Sequence, residues 1–169
     1  MLPVRIIVTG GTIDKVHDPL TETLTFSKDD NGNQAARSHI PALLEQGRTG
    51  YPSIQYLLMK DSLEFTDADR ALLTEAVNAA GETALVITHG TGTMGESARW
   101  LAQHGTADKT VVLTGAVRPH SIGASDAPFN LGGALIAAQI LSPGVYGVMN
   151  GRVFPAEALD KDTTSGRFD

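Results

Sequence analysis

VRIIVTGGTI, residues 4–13, decides how the rest of the chain is read. Val4, Ile6, Ile7 and Val8 form a short apolar run that is closed at once by Gly10 and Gly11, which predicts a buried strand ending in a sharp turn. Two adjacent glycines admit positive φ and let a ligand approach the backbone closely. Open α/β sheets bind ligands just beyond the carboxyl ends of their strands, so the hydroxyl of Thr12 is a candidate reacting group. The same residues also describe an ordinary tight turn, and the other stretches must decide between the two.

Those stretches repeat the pattern. Residues 54–59 (IQYLLM) predict a second strand running into KDSLE, which puts Ser62 just past a strand end. Thr66, Asp67 and Asp69 open a helix with a hydroxyl cap and early acids, and Ala68, Leu72, Ala76, Val77 and Ala80 keep its period up to Gly81. Residues 84–88 form a third strand followed by HGTGTM at 89–94, then a helical pattern over 95–104. Residues 109–114 and 145–149 supply two more strands, separated by a helix that begins at Pro128 and is apolar nearly all round, as a buried helix would be. Between the first two strands, 13–34 is a long polar loop with room for a small hairpin around 21–26, and 35–46 reads as a short helix. Strands alternating with helices imply right-handed crossovers and an α/β fold with a doubly wound, mostly parallel sheet in a single domain spanning 1–169. Thr12, Ser62 and Thr91 then follow three strands whose carboxyl ends share one edge.

Composition removes whole classes of function. With 169 residues the chain suffices for one domain with a substantial core, and its 41% hydrophobic content contains no membrane-length apolar stretch. Residues 1–5 lead directly into a strand and lack the pattern of a secretory signal, so a cytoplasmic location is expected. The absence of cysteine excludes disulfides and thiolate metal ligands. A net charge of -6 with scattered Lys and Arg argues against a nucleic-acid surface. His17, His39, His89, His104 and His120 are dispersed without metal-ligand spacing, so no metal is expected. The glycines of residues 90–95 suggest a dinucleotide loop, but the acid expected about 20 residues on is absent. No phosphate loop is present either, and no cofactor is expected.

What remains is hydroxyl chemistry beside glycine-rich turns. A threonine needs a base, or a lysine of lowered pKa, within hydrogen-bond reach before it can attack. Backbone amides of Gly11, Gly90 and Gly92 are placed to surround a carboxylate or a developing oxyanion. On spacing alone, Thr91 and Thr93 are equally good helix N-caps.

TGGTI at 9–13, THGTGTM at 88–94, and GAVRP at 115–119 with SDAPFNL at 125–131 resemble the amino-terminal domain of the bacterial L-asparaginase family. The resemblance covers essentially the whole chain, and the two threonine motifs are specific in combination. It implies cofactor-independent hydrolysis of the side-chain amide of asparagine, with glutamine as a possible second substrate. By motif, Thr12 matches the family's nucleophile, Thr91 its second threonine and Ser62 its serine for the substrate carboxylate. Lys161, in LDKDTT at 159–164, matches the lysine that partners the second threonine; without the resemblance it reads as solvated charge. The family's habit also implies a homodimer or homotetramer.

The departures are specific. Gly92 stands where most members carry an aspartate that contacts the substrate amino group. No tyrosine occurs between Thr12 and Tyr51 to activate the first threonine, and His17 is the proposed replacement, its alternative being an exposed loop histidine. The usual member continues into a smaller second domain beyond the length of this chain, so this looks like a short form. The alternatives to an asparaginase are a catalytically impaired amino-acid-binding module, an amidase of shifted specificity, or a subunit active only with a partner.

Overall fold

The computed structural model describes residues 2–27, 38–106 and 108–168. In chain order its elements are β1 (Val4–Gly10), β2 (Lys15–Asp18), β3 (Thr23–Phe26), α1 (Ile40–Gln46), β4 (Ser53–Lys60) and α2 (Asp67–Ala79), followed by β5 (Ala84–Thr88), α3 (Met94–His104), β6 (Thr110–Thr114), α4 (Ala127–Ile140), β7 (Gly144–Met149) and β8 (Arg152–Pro155). Six strands form one sheet in the order β4-β1-β5-β6-β7-β8, parallel except for β8, which runs antiparallel to β7. Alternate residues of the apolar runs face opposite sides. Ile6 and Val8 pack with α1 and α4, while Ile7, Leu85 and Ile87 pack with α2 and α3. This is the doubly wound sheet expected, and burial on both faces explains why its strands read as continuous apolar runs.

The topology fixes where a ligand can sit. From β1 the chain crosses to β4 on one side, then returns to the other side of β1 to lay down β5, β6 and β7. The winding direction therefore reverses between β1 and β5, and the crevice beyond their carboxyl ends is the natural binding site of such a sheet.

Three expectations need correction. The segment read as a long loop begins with a 3-10 turn over Thr12–Asp14 and continues into a two-stranded hairpin of β2 and β3; residues 28–34 lie outside the described residues. The helix expected over 35–46 is helical from Ile40, because the backbone N–H of His39 is taken by Asp14 at 2.7 Å; 35–37 lie outside the described residues. Helix α4 is only half buried. Leu131, Ala134, Leu135 and Ala138 face the sheet, while Phe129, Ile136 and Ile140 are 66%, 59% and 74% exposed. The hydrophobic period fails there because the outward positions are as apolar as the inward ones.

Strand β8 was not expected. Asn150 and Gly151, at φ 53° and 78°, make the two-residue turn that folds Arg152 back against Met149. Among the described residues no helix is long and apolar enough to cross a membrane.

Beyond β8 the chain returns across α3. A side chain on Gly95 would collide with the carbonyl of Leu159, and one on Gly147 with the Leu159 side chain, so backbone on both sides lies against this leucine. Leu159 is fully buried. Replacing it by alanine is expected to cost about 2–5 kcal/mol, read by urea denaturation; a loss below about 1 kcal/mol would mean that this segment is not docked as described.

Candidate functional site

Three turns stack at the β1/β5 crevice, backbone on backbone. Gly10 and Gly11 leave β1 at φ 94° and 86°, a region closed to side chains without strain. The Gly11 N–H donates to the Lys60 carbonyl at 3.0 Å, tying this turn to the end of β4. A Cβ on Gly11 would overlap the backbone of Gly90, and one on Gly90 would lie 2.6 Å from Ser62 Oγ. The glycines therefore let the turns after β1, β5 and β4 touch, which brings Thr12, Thr91 and Ser62 to one edge.

Each hydroxyl has a definite environment. Ser62 is buried, and its Oγ accepts from the Gly92 N–H at 3.2 Å, leaving its own proton to donate to a ligand. Thr93 Oγ1 donates to the Ser62 carbonyl at 2.7 Å, so this threonine holds the Ser62 turn and makes no side-chain cap on α3. Thr91 is buried, with Lys161 Nζ donating to its Oγ1 at 3.4 Å, a long contact that brings together two residues 70 positions apart. Thr12 is partly exposed as the first residue of its 3-10 turn. His17 lies exposed on β2, paired in register with Leu24, and no hydrogen bond joins it to Thr12 among the described residues. It shares a hairpin face with Lys15, two residues earlier.

Lys15 is a neighbour of the site that sequence reasoning missed. It pairs with Asp61, and its Nζ lies 5.8 Å from the centre of the Phe26 ring. Asp61 also caps the Leu63 N–H at 3.0 Å. Burial pushes the Asp61 carboxyl up, but the hydrogen bonds from Lys15 and Leu63 outweigh it and hold it below the ordinary range. The hairpin is thereby clamped to the residue beside Ser62. Among the described residues no group of three or more His, Cys, Asp or Glu is arranged to hold a metal ion.

A family model described as "Asparaginase, N-terminal" matches residues 3–168. The chain belongs to the asparaginase family. The glutaminase-asparaginase of Acinetobacter glutaminasificans is 32% identical to it over 166 residues, covering 94% of this chain and 49% of the relative. L-asparaginase 2 of Escherichia coli is 29% identical, covering 96% and 47%. Among solved structures, a probable cytoplasmic L-asparaginase from Campylobacter jejuni superposes with a TM-score of 0.74 at 28% identity, over 94% of this chain and 49% of that one. The chain thus spans about half the length of the curated relatives it matches.

The last residue of the Thr12 turn of this asparaginase-family domain is a second feature the sequence did not disclose. Asp14 is 1% exposed; its Oδ1 accepts from Ser38 Oγ at 2.9 Å and from the His39 N–H, while Oδ2 has no protein partner among the described residues. The His39 ring lies 5.5 Å from that of His120. Burial raises the Asp14 carboxyl to about 6, against the smaller opposing effects of the two hydrogen bonds and the field of His120. The folded pKa lies above the unfolded value near 3.8, so the stability this group contributes is full below that value and lost as pH rises through about 6. A difference of this size corresponds to about 3 kcal/mol. Asp14→Asn is expected to remove that component of the pH dependence between about pH 4 and 7, measured by denaturation at several pH values against the parent protein.

Proposed function

We propose that this chain is an asparaginase-type amidohydrolase that converts L-asparagine to L-aspartate and ammonia, with glutamine as a second substrate. The observation that carries this reading is the meeting of the Thr12 turn, Ser62 and the Thr91–Lys161 pair at the β1/β5 crevice of an asparaginase-family domain. Thr12 Oγ attacks the amide carbon and passes its proton to a base, for which His17 is the candidate on the adjoining hairpin. The oxyanion is held by backbone N–H groups of the glycine turns with Thr91. The amide C–N bond then breaks, a proton moved through Thr91 and Lys161 lets ammonia leave, and water hydrolyses the acyl-threonine. Ser62, as a donor, and the Gly90 amide hold the substrate carboxylate, while the Gly92 N–H, already given to Ser62 Oγ, acts by orienting that hydroxyl. Residues 1–169 act in this reading as an amino-terminal-type domain.

One observation favours a second reading, an amidase of shifted specificity. At Gly92 there is no carboxylate to receive a substrate ammonium, and a Cβ there would lie 3.0 Å from Leu63 Cδ2 and 3.1 Å from Ser62 Oγ. An ammonium left without a carboxylate partner is disfavoured, so a monoamide without the α-amino group, such as succinamate, fits this pocket at least as well.

Thr12→Ala is expected to bring ammonia release from asparagine and succinamate below detection while the circular dichroism spectrum and melting temperature stay unchanged; turnover retained in that variant removes Thr12 as nucleophile. Gly92→Asp, with the exposed Leu63 free to move aside, is expected to shift the kcat/KM ratio of asparagine to succinamate by roughly tenfold toward asparagine. An unchanged ratio would rule out residue 92 as the selector.

A further inference from the structure

His89 has no part in the chemistry above, yet it is completely buried directly before the Gly90–Gly92 turn. Its Nδ1 lies 2.8 Å from the Gly90 carbonyl and its Nε2 lies 2.9 Å from Ser97 Oγ on α3. A carbonyl oxygen only accepts, so Nδ1 carries a hydrogen. Burial, aided by the Arg70 cation, keeps the ring neutral down to about pH 4, against the weaker pull of Asp61 and the Gly90 hydrogen bond. A neutral ring with hydrogen on Nδ1 is bare at Nε2, which must accept from the Ser97 hydroxyl. Ser97 Oγ in turn accepts from Arg70 Nε at 3.3 Å. Arg70 is itself nearly buried, its terminal nitrogens held by Asp67 at 3.1 Å and Glu96 at 3.0 Å. Phe65 packs against the imidazole with ring centres 4.4 Å apart. Every donor has one acceptor, and the direction of each bond follows from the last.

We propose that Arg70, Ser97 and His89 form a one-way hydrogen-bond relay that fixes the peptide between Gly90 and Thr91, making His89 a positioning residue for the candidate site. In a trans peptide the N–H points opposite to the C=O. Holding the Gly90 carbonyl on the His89 side turns the Thr91 N–H away from that ring, toward the crevice where Thr12 and Ser62 stand. Gly90 needs such a device because it has no side chain to restrict its own rotation. The relay starts from charged groups at the surface of α2 and α3 and polarises each bond in the same sense, which stiffens the chain as a whole. The inference rests on the amidohydrolase reading only for its catalytic consequence; the geometry is independent of it.

Imidazole and amide ¹⁵N NMR on the parent protein, Ser97→Ala and Ser97→Thr, together with ammonia kinetics, tests the relay. In the parent, His89 is expected to show hydrogen on Nδ1 and a bare Nε2, unchanged between about pH 5 and 8. Ser97→Ala should move the Thr91 amide resonance and lower kcat by about tenfold to a hundredfold with KM within about twofold, because it misaligns a donor without removing a substrate contact. Ser97→Thr, which keeps the hydroxyl, should restore both. Arg70→Lys, which deletes the Nε–H but keeps the charge, provides a second perturbation of the Thr91 amide if Ser97→Ala does not fold. Hydrogen on Nε2, a ring that titrates in this range, an unmoved Thr91 amide, or a threonine variant no better than alanine would each overturn the proposal. If the parent protein releases no ammonia from asparagine or succinamate, the amidase reading fails, while the relay is still decided by the ring tautomer and the Thr91 amide.

Discussion

The backbone contact between Gly11 and Gly90, with Ser62 packed behind it, is the constraint from which the rest of the site follows. The turns after β1, β5 and β4 touch without intervening side chains, so their hydroxyls are positioned by main-chain geometry, which is stiffer than any rotamer. The same contact lies where the sheet reverses its winding, so the fold itself opens a crevice at that point. Sheet order and glycine placement are thus two aspects of one requirement.

Around this contact the polar groups are assigned sparingly. Ser62 Oγ is an acceptor toward Gly92 and so remains a donor outward; Thr93 is consumed in holding Ser62; Thr91 is reached by Lys161. Asp61 and Lys15 satisfy each other at the rim. Asp14, the last residue of the Thr12 turn, departs from this: among the described residues its Oδ2 is buried without a protein partner, as are His39 Nε2 and Thr88 Oγ1. Leaving a carboxyl oxygen so placed normally costs stability, and the raised pKa of Asp14 is the form that cost takes.

Much of this was legible in the sequence because strand ends are. Runs such as ALVIT and TVVLT, buried on both faces, announce parallel strands, and the residues after them inherit a place on the carboxyl edge without further information. Thr12, Ser62 and Thr91 were found by that route. Lys161 was not, since nothing local distinguishes it from a solvated lysine; only the family resemblance singled it out. Lys15, Asp14 and His89 escaped because their roles depend on contacts across the fold, to residues 61, 38–39 and 97. The β8 hairpin did carry a local signal, Asn150–Gly151, the turn pair favoured between antiparallel strands, but Pro155 and the shortness of the strand obscured it. The outer face of α4 misled for the opposite reason: composition tells that a helix is apolar, and it does not tell on how many sides the helix is covered.

The long span between Thr91 and Lys161 sets an order of assembly. The turns that carry Thr12, Ser62 and Thr91 all precede residue 94, whereas the lysine arrives on a strap that crosses α3 at Gly95 after β7 and β8 have been laid down. Contacts between distant parts of a chain form late, because the intervening loop must first lose its freedom. Thr91 therefore gains its contact with Lys161 only once the strap has docked over the finished sheet.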